Sequence, residues 1–293
     1  MDLGYFDQVI WNTSQGRLFA NTLKYPYNFL GDHFSPILAL LAPLYWVWPN
    51  VRMLLLAQSL ALALAGLPLY WLARQVVKGL APLVLIAFYL NPELHLVNLS
   101  DFHEIALVTP FIALALYALL QARYRLLLLS LFLALCCKED MAIVVISFGL
   151  YLIMRKVSGT SEVPDTSNSK GRWWGVAALV LGVVWLAGAV FVVIPHFRQG
   201  GYGSIAARYS YLGSTPQEAL TTVLRQPAIL AIHLLQGKKL LAFLRVLLPV
   251  AFLPFLGWPI FCLSLPLFVY LQLSDRPSLY TLREWHVAPI VPI

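Results

Sequence analysis

The sequence predicts an all-α, polytopic transmembrane helical bundle, and two observations carry that reading. Hydrophobic residues make up 60% of the chain and charged residues only 11%, with a mean hydropathy of +0.76. A soluble domain carries about 25% charged residues, so a chain this poor in charge cannot cover a globular surface with polar groups, and its solvent is lipid. The apolar residues also fall in long runs, such as Met53–Ala73 and Trp173–Ile194. These have the length of about 20 residues that a helix needs to cross a bilayer, and the Gly and Pro within them are tolerated there. Residues 1–293 therefore read as a single integral membrane domain, multi-pass, with the lipid bilayer as its partner and the cell membrane as its location.

The first 50 residues read as an extracytoplasmic loop with interfacial helices. Phe6, Val9, Ile10 and Thr13 recur at helical spacing and suggest a face lying on the membrane. Asp7, Gln8, Asn12 and Gln15 then point elsewhere, toward water or a site. Ser35–Trp48 has 14 residues and ends in Tyr and Trp, too short for a full span and suited to the headgroup level. Eight spans follow: Val51–Leu72, Gly79–Val97, Ile105–Leu120, Tyr124–Cys137, Met141–Met154, Trp173–Ile194, Leu240–Phe255 and Trp258–Leu273. A ninth apolar stretch begins at Val287.

Basic residues orient these spans. Arg74 and Lys78, Arg123 and Arg125, then Arg155, Lys156, Lys170 and Arg172 lie at alternate ends of successive spans. Short cytoplasmic loops carry such an excess. Residues 158–172, rich in Ser, Thr, Asn and Pro, read as a cytoplasmic linker. The opening segment, Asn91–Glu104 and Lys138–Asp140 then share the outer side, as does the long segment Pro195–Lys239 despite Arg198, Arg208, Arg225, Lys238 and Lys239. The net charge of +7 thus serves orientation and gives no reason to expect nucleic acid. Cys136, Cys137 and Cys262 lack zinc-ligand spacing and read as buried thiols. There is no fixed-period repeat and no glycine-rich phosphate loop.

The acidic residues are placed unevenly. Of 13, only Glu162 and Asp165 fall in the cytoplasmic loops; Asp2, Asp7, Asp32, Glu93, Asp101, Glu104, Glu139 and Asp140 gather on the outer side. Charges beside spans are costly and usually face a cavity or one another. "KED", Lys138–Glu139–Asp140, follows a span of about 14 residues and so sits below the outer headgroups. It reads either as part of a site or as a structural ion pair of Lys138 with Glu139 or Asp140. In "DFHE", Asp101 suits a helix cap, which leaves His103 and Glu104 to explain; a histidine there can hold a metal or a phosphate oxygen. Asp2 precedes Gly4 as an N-cap would, and "GDHFSP" adds Asp32 and His33.

In order and spacing, "DLGYFDQ" with "GRLF", "NFLGDHFSPILALLAPLY", "NLSDFHEIAL" and "KEDMAIVVISFGL" resemble the predicted membrane proteins called domain of unknown function 2079. "RYSYLG", "FLPFLGWP" and "REWHVAP" fit as well, so the resemblance covers nearly the whole chain. Family members carry a span before the first motif and more spans after "VAPIVPI", so the chain resembles a fragment lacking both. The family is similar in layout to the GT-C membrane glycosyltransferases, which use polyprenyl-phosphate-linked sugars and carry carboxylates in the first outer loop. That likeness implies an inverting sugar transfer, with Asp7, ahead of Asp2, as general base. It implies substrate binding by Gln8, Asp32, His33, Asp101, His103, Lys138, Glu139 and Asp140, with Lys138 stabilising the departing phosphate. A divalent metal on Glu104 and His103 is a further possible cofactor. The rivals are a transporter or flippase, for which the broken helices at Lys138–Asp140 speak, and a non-catalytic membrane scaffold.

Overall fold

A computed structural model describes residues 2–155, 166–199, 207–250, 252–282 and 284–293. Its regular structure among them is helical throughout, with one isolated antiparallel bridge, Ala20 to Asn28.

The opening segment is a built domain edge. α1 (Asp2–Ser14) packs on α2 (Ile37–Val47), and Trp46 Nε1 donates to the Ser14 carbonyl at 2.8 Å. The loop between them is tied back by side chains. Thr13 Oγ1 accepts from Phe19 N, Asn12 Nδ2 donates to Ala20 O, and Asn28 caps the turn Phe29–Gly31. The apolar stripe of α1 is turned inward, contrary to the expected membrane-facing role: Phe6, Val9 and Ile10 are buried, and Phe6 meets Phe29 and Phe102 ring to ring. Helical periodicity marks an apolar face without saying whether protein or lipid covers it.

Among the described residues, two helices are long and apolar enough to cross a membrane. One is α3 (Arg52–Val76). The other runs Lys170–Arg198 through α9 (Thr166–Ala187), a π-helical stretch Gly188–Val193 and α10 (Ile194–Arg198). Two bent pairs raise the number of candidate crossings to four: Lys78–Tyr89 with Pro92–Leu99, bent by 44°, and Gly237–Val250 with Pro254–Phe261, bent by 93°. The first contains α4 (Ala81–Tyr89) and α5 (Pro92–Leu99), and its break falls where Asn91 caps α5 and Pro92 occupies the first turn. The remaining expected spans are shorter. α6 (Thr109–Leu120), entered through the 3₁₀ turn Glu104–Val108, is followed by α7 (Tyr124–Cys137) and α8 (Met141–Met154). The 14 residues of α7 or α8 reach about 21 Å, against a hydrocarbon core of about 30 Å. These helices form the interior, where Ile112, Leu127, Leu131, Leu135, Val145 and Phe148 are all buried.

Of the expected linker 158–172, residues 158–165 lie outside the described ones, and α9 begins at Thr166. α8 and α9 are the most closely packed pair. A Cβ on Gly149 would stand 2.7 Å from Leu179 N and 2.8 Å from the Gly175 carbonyl. Small residues that let backbones approach are how helices associate in lipid. Gly149→Ala therefore forces the helices apart, a loss of about 1–3 kcal/mol, to be read as a lower thermal midpoint in nanodiscs.

Candidate functional site

A cavity of about 370 Å³ opens between α1, the loop joining α1 to α2, the turn joining α7 to α8, and the segment around Trp285. Stretches distant in sequence meet there because the apolar core beneath them fixes where each helix begins and ends.

One wall is acidic. Asp2, in the first turn of α1, places Oδ2 3.5 Å from His103 Nε2. His103 is held from several sides. Its backbone N–H donates to Gln58 Oε1 on α3, its Nδ1 faces the Asp101 carbonyl at 3.2 Å, and its ring stacks on Trp285 at 3.3 Å. The hydrogen bond from His103 outweighs the burial of Asp2 and lowers its carboxyl from the ordinary value of 3.8. Asp32 also lines the cavity and accepts from Lys24 Nζ at 2.7 Å.

Other parts of the lining are cationic. Lys138 follows the last turn of α7 in extended conformation, which aims its side chain into the cavity, and it is 96% shielded from solvent, being only 4% exposed. Asp140, 3.9 Å from Lys138 Nζ, stands behind it. Glu139 turns the other way: its Oε1 lies 2.7 Å from His33 Nδ1, and its Oε2 accepts from Phe34 N. Burial opposes the ionisation of Glu139, but the charge and hydrogen bond of His33 and the Lys138 ammonium hold its carboxyl below its ordinary value. His33 Nε2 lies 3.5 Å from Arg208 Nη2. Arg208 is buried, and its Nε finds no hydrogen-bond partner among the described residues. Arg276 and His286 also line the cavity. Burial, with Lys138 and Arg208 nearby, keeps His286 well below the usual histidine range, and hence neutral.

The structure thus brings together Asp2, Asp32, His33, His103, Glu104 and Lys138, with Glu139 and Asp140 directly behind. Asp7 does not join them. Five residues along a helix is a rotation of about 140° from Asp2, so Asp7 faces α2 and accepts from Tyr45 OH at 2.6 Å. Gln8 is engaged with Thr22, through both its amide oxygen and nitrogen. Asp101 is exposed and outside the cavity lining, and its carbonyl faces His103 Nδ1. The expected metal does not fit either. Among the described residues no three His, Cys, Asp or Glu side chains gather as ligands, and the groups around His103 and Glu104 include Lys24, Lys138, Arg208 and Arg276. Sequence reasoning missed Arg208, Arg276, Trp285 and His286 as cavity residues. The motifs "RYSYLG" and "REWH" held the signal for three of them.

Apolar helices of spanning length, in a chain that also holds a charged cavity, define a helical membrane protein with a polar site. More particularly, the chain belongs to the family described as "Predicted membrane protein (DUF2079)", whose model matches residues 1–293. No curated protein and no solved structure matches it.

Proposed function

We propose that this protein is a GT-C-type glycosyltransferase that takes its sugar from a polyprenyl-phosphate donor. In this reading the cavity opens on the extracytoplasmic side of the cell membrane, within a bundle of eight to nine spans. The supporting observation is the pairing, in one cavity, of a low-lying carboxylate, Asp2, with the buried cations Lys138 and Arg208. Inverting transfer needs both. The acceptor hydroxyl gives its proton to Asp2 as its oxygen forms a bond to the anomeric carbon. The bond from that carbon to the phosphate oxygen breaks with its electron pair going to phosphate. Lys138 and Arg208 offset the negative charge gathering there. Arg208 Nε, buried with no partner among the described residues, is a donor of the kind a phosphate oxygen satisfies.

A second reading, transport of a lipid-linked or anionic solute, is favoured by the two bent helix pairs, since transporters build midplane sites from broken helices. Proteoliposomes supplied with a panel of radiolabelled polyprenyl-phosphate sugars separate the two. The glycosyltransferase reading expects a labelled product and release of polyprenyl phosphate. Label that crosses the bilayer chemically unchanged supports transport instead.

A further inference from the structure

Three short helices in succession carry their apolar stripes on the outside. On α11 (Pro216–Arg225) these are Leu220 and Leu224, the latter 72% exposed. On α12 (Ala228–Leu234) the stripe continues as Ile232, with Leu235 just beyond its end, at 66% and 68%. On α13 (Gly237–Leu247) it is Leu241 and Leu244, followed by Leu248, all exposed, while Lys239 and Ala242 face inward. An amphipathic helix in water buries such a stripe; here the arrangement is inverted. The helices have 10, 7 and 11 residues, far below the roughly 20 needed for crossing.

The charges of the stretch agree with a surface position. Among the basic residues between Pro195 and Lys239, Arg198 Nη1 donates to the Gly31 carbonyl, Arg208 lines the cavity, and Lys239 Nζ donates to the Ser274 carbonyl at 3.2 Å. Arg225 and Lys238 are left exposed at the ends of the stripes. The acid of α11, Glu218, is also exposed and accepts from the Ser214 N–H and hydroxyl. Arg225 and Lys238 outnumber it beside the apolar face, and α13 is itself the first arm of the pair bent by 93°, so it runs across the direction of the arm ending at Phe261.

We infer that residues 216–248 form an in-plane membrane anchor, with the leucine stripes among the upper acyl chains and Arg225 and Lys238 on the phosphates of anionic lipids. Helices of this kind sink their apolar face about 5–10 Å into the headgroup and acyl boundary. The anchor also has a structural consequence for the cavity. It begins just after the Ser210–Leu212 turn that follows Arg208, whose carbonyl accepts from Asp275 N at 3.0 Å. Seating α11 at the interface thereby seats the Arg208 part of the cavity at the lipid surface. The inference requires no assumption about the chemistry performed there.

The test places nitroxide labels on Leu224→Cys, Leu235→Cys and Thr222→Cys in a protein whose three native cysteines are replaced by alanine. The protein is studied in phosphatidylcholine vesicles with and without phosphatidylglycerol. Labels at 224 and 235 should collide with oxygen in preference to a water-soluble nickel chelate, at depths of about 5–10 Å, and the label at 222, about 160° around α11 from Leu224, should show the reverse. Arg225→Gln with Lys238→Gln should raise the first two labels toward water in the anionic vesicles only. Nickel preference at 224 and 235 overturns the inference. So does shielding from both reagents, which would mean that a second copy or another segment covers the face. If the cysteine-free protein does not fold, a benzophenone amino acid at 224 and 235 in the native background gives the same decision. Crosslinks to lipid support the anchor, and crosslinks to protein reject it.

Discussion

Asp2→Asn should lower sugar transfer by about 10²–10⁴-fold, the range for losing a general base, and leave folding nearly unchanged. The second half of that expectation follows from geometry. The Asp2 side chain is 52% exposed and makes one long ion pair, to His103; exposed pairs contribute about 0–1 kcal/mol. Asp7→Asn is the internal control. Its role is to accept from Tyr45 OH, which an asparagine oxygen also does, so turnover per folded molecule should stay close to that of the parent. Stability should fall by about 1 kcal/mol as a charge-assisted bond becomes a neutral one. The pH profile adds an independent check. The Asp2 carboxyl titrates below its ordinary value of 3.8, mainly because of the bond from His103. The base is therefore ionised above that value, and its contribution to the rate disappears only as pH falls through the lowered value. An acid limb with its midpoint near neutrality would assign the base to another group. Equal losses in Asp2→Asn and Asp7→Asn would remove the distinction between the two carboxylates.

Composition was enough to identify lipid as the solvent, because charge scarcity is a property of the whole chain and needs no knowledge of packing. The charged motifs were legible for a related reason: His33, His103, Glu104 and Lys138 stand out against apolar neighbours and converge as the cost of burying charge demands. Helix phase was the first thing lost. Asp2 and Asp7 look equivalent in "DLGYFD", yet the turn of α1 sends one to His103 and the other to Tyr45. The number of crossings is not fixed by hydropathy, because hydropathy does not distinguish lipid from protein as an apolar environment. Leu127, Leu131 and Leu135 on α7 are fully enclosed by protein, whereas Leu129 on the same helix is 54% exposed. Arg208 was misread for the opposite reason. In the sequence it is one of several bases that strain the orientation rule, and only the fold, which sets it in the cavity wall 3.5 Å from His33, reveals a cavity residue.

Lys138→Met should abolish most transfer and also destabilise the protein, and the two effects can be separated. Removing the ammonium takes away the cation closest to the acidic turn on the cavity's inner side, and losing one such electrostatic contact to a leaving group typically reduces turnover by about 10²–10³-fold. It also leaves Asp140 without the counter-charge 3.9 Å away. Asp140 is buried, and its Oδ1 already lacks a hydrogen-bond partner among the described residues. Stranding a buried carboxylate in this way costs about 3–5 kcal/mol. A second substitution distinguishes the roles. In Lys138→Met with Asp140→Asn the stranded charge is gone, so the thermal midpoint in nanodiscs should return most of the way to the parent value. Transfer should not return, because asparagine behind the cavity supplies no cation within it. If activity recovers together with stability, Lys138 is a structural partner of Asp140, and the phosphate falls to Arg208 and Arg276 alone. If neither recovers, the damage lies in the packing around the extended residue between α7 and α8, and Lys138→Arg, which keeps the charge there, should restore more of both than Lys138→Met does.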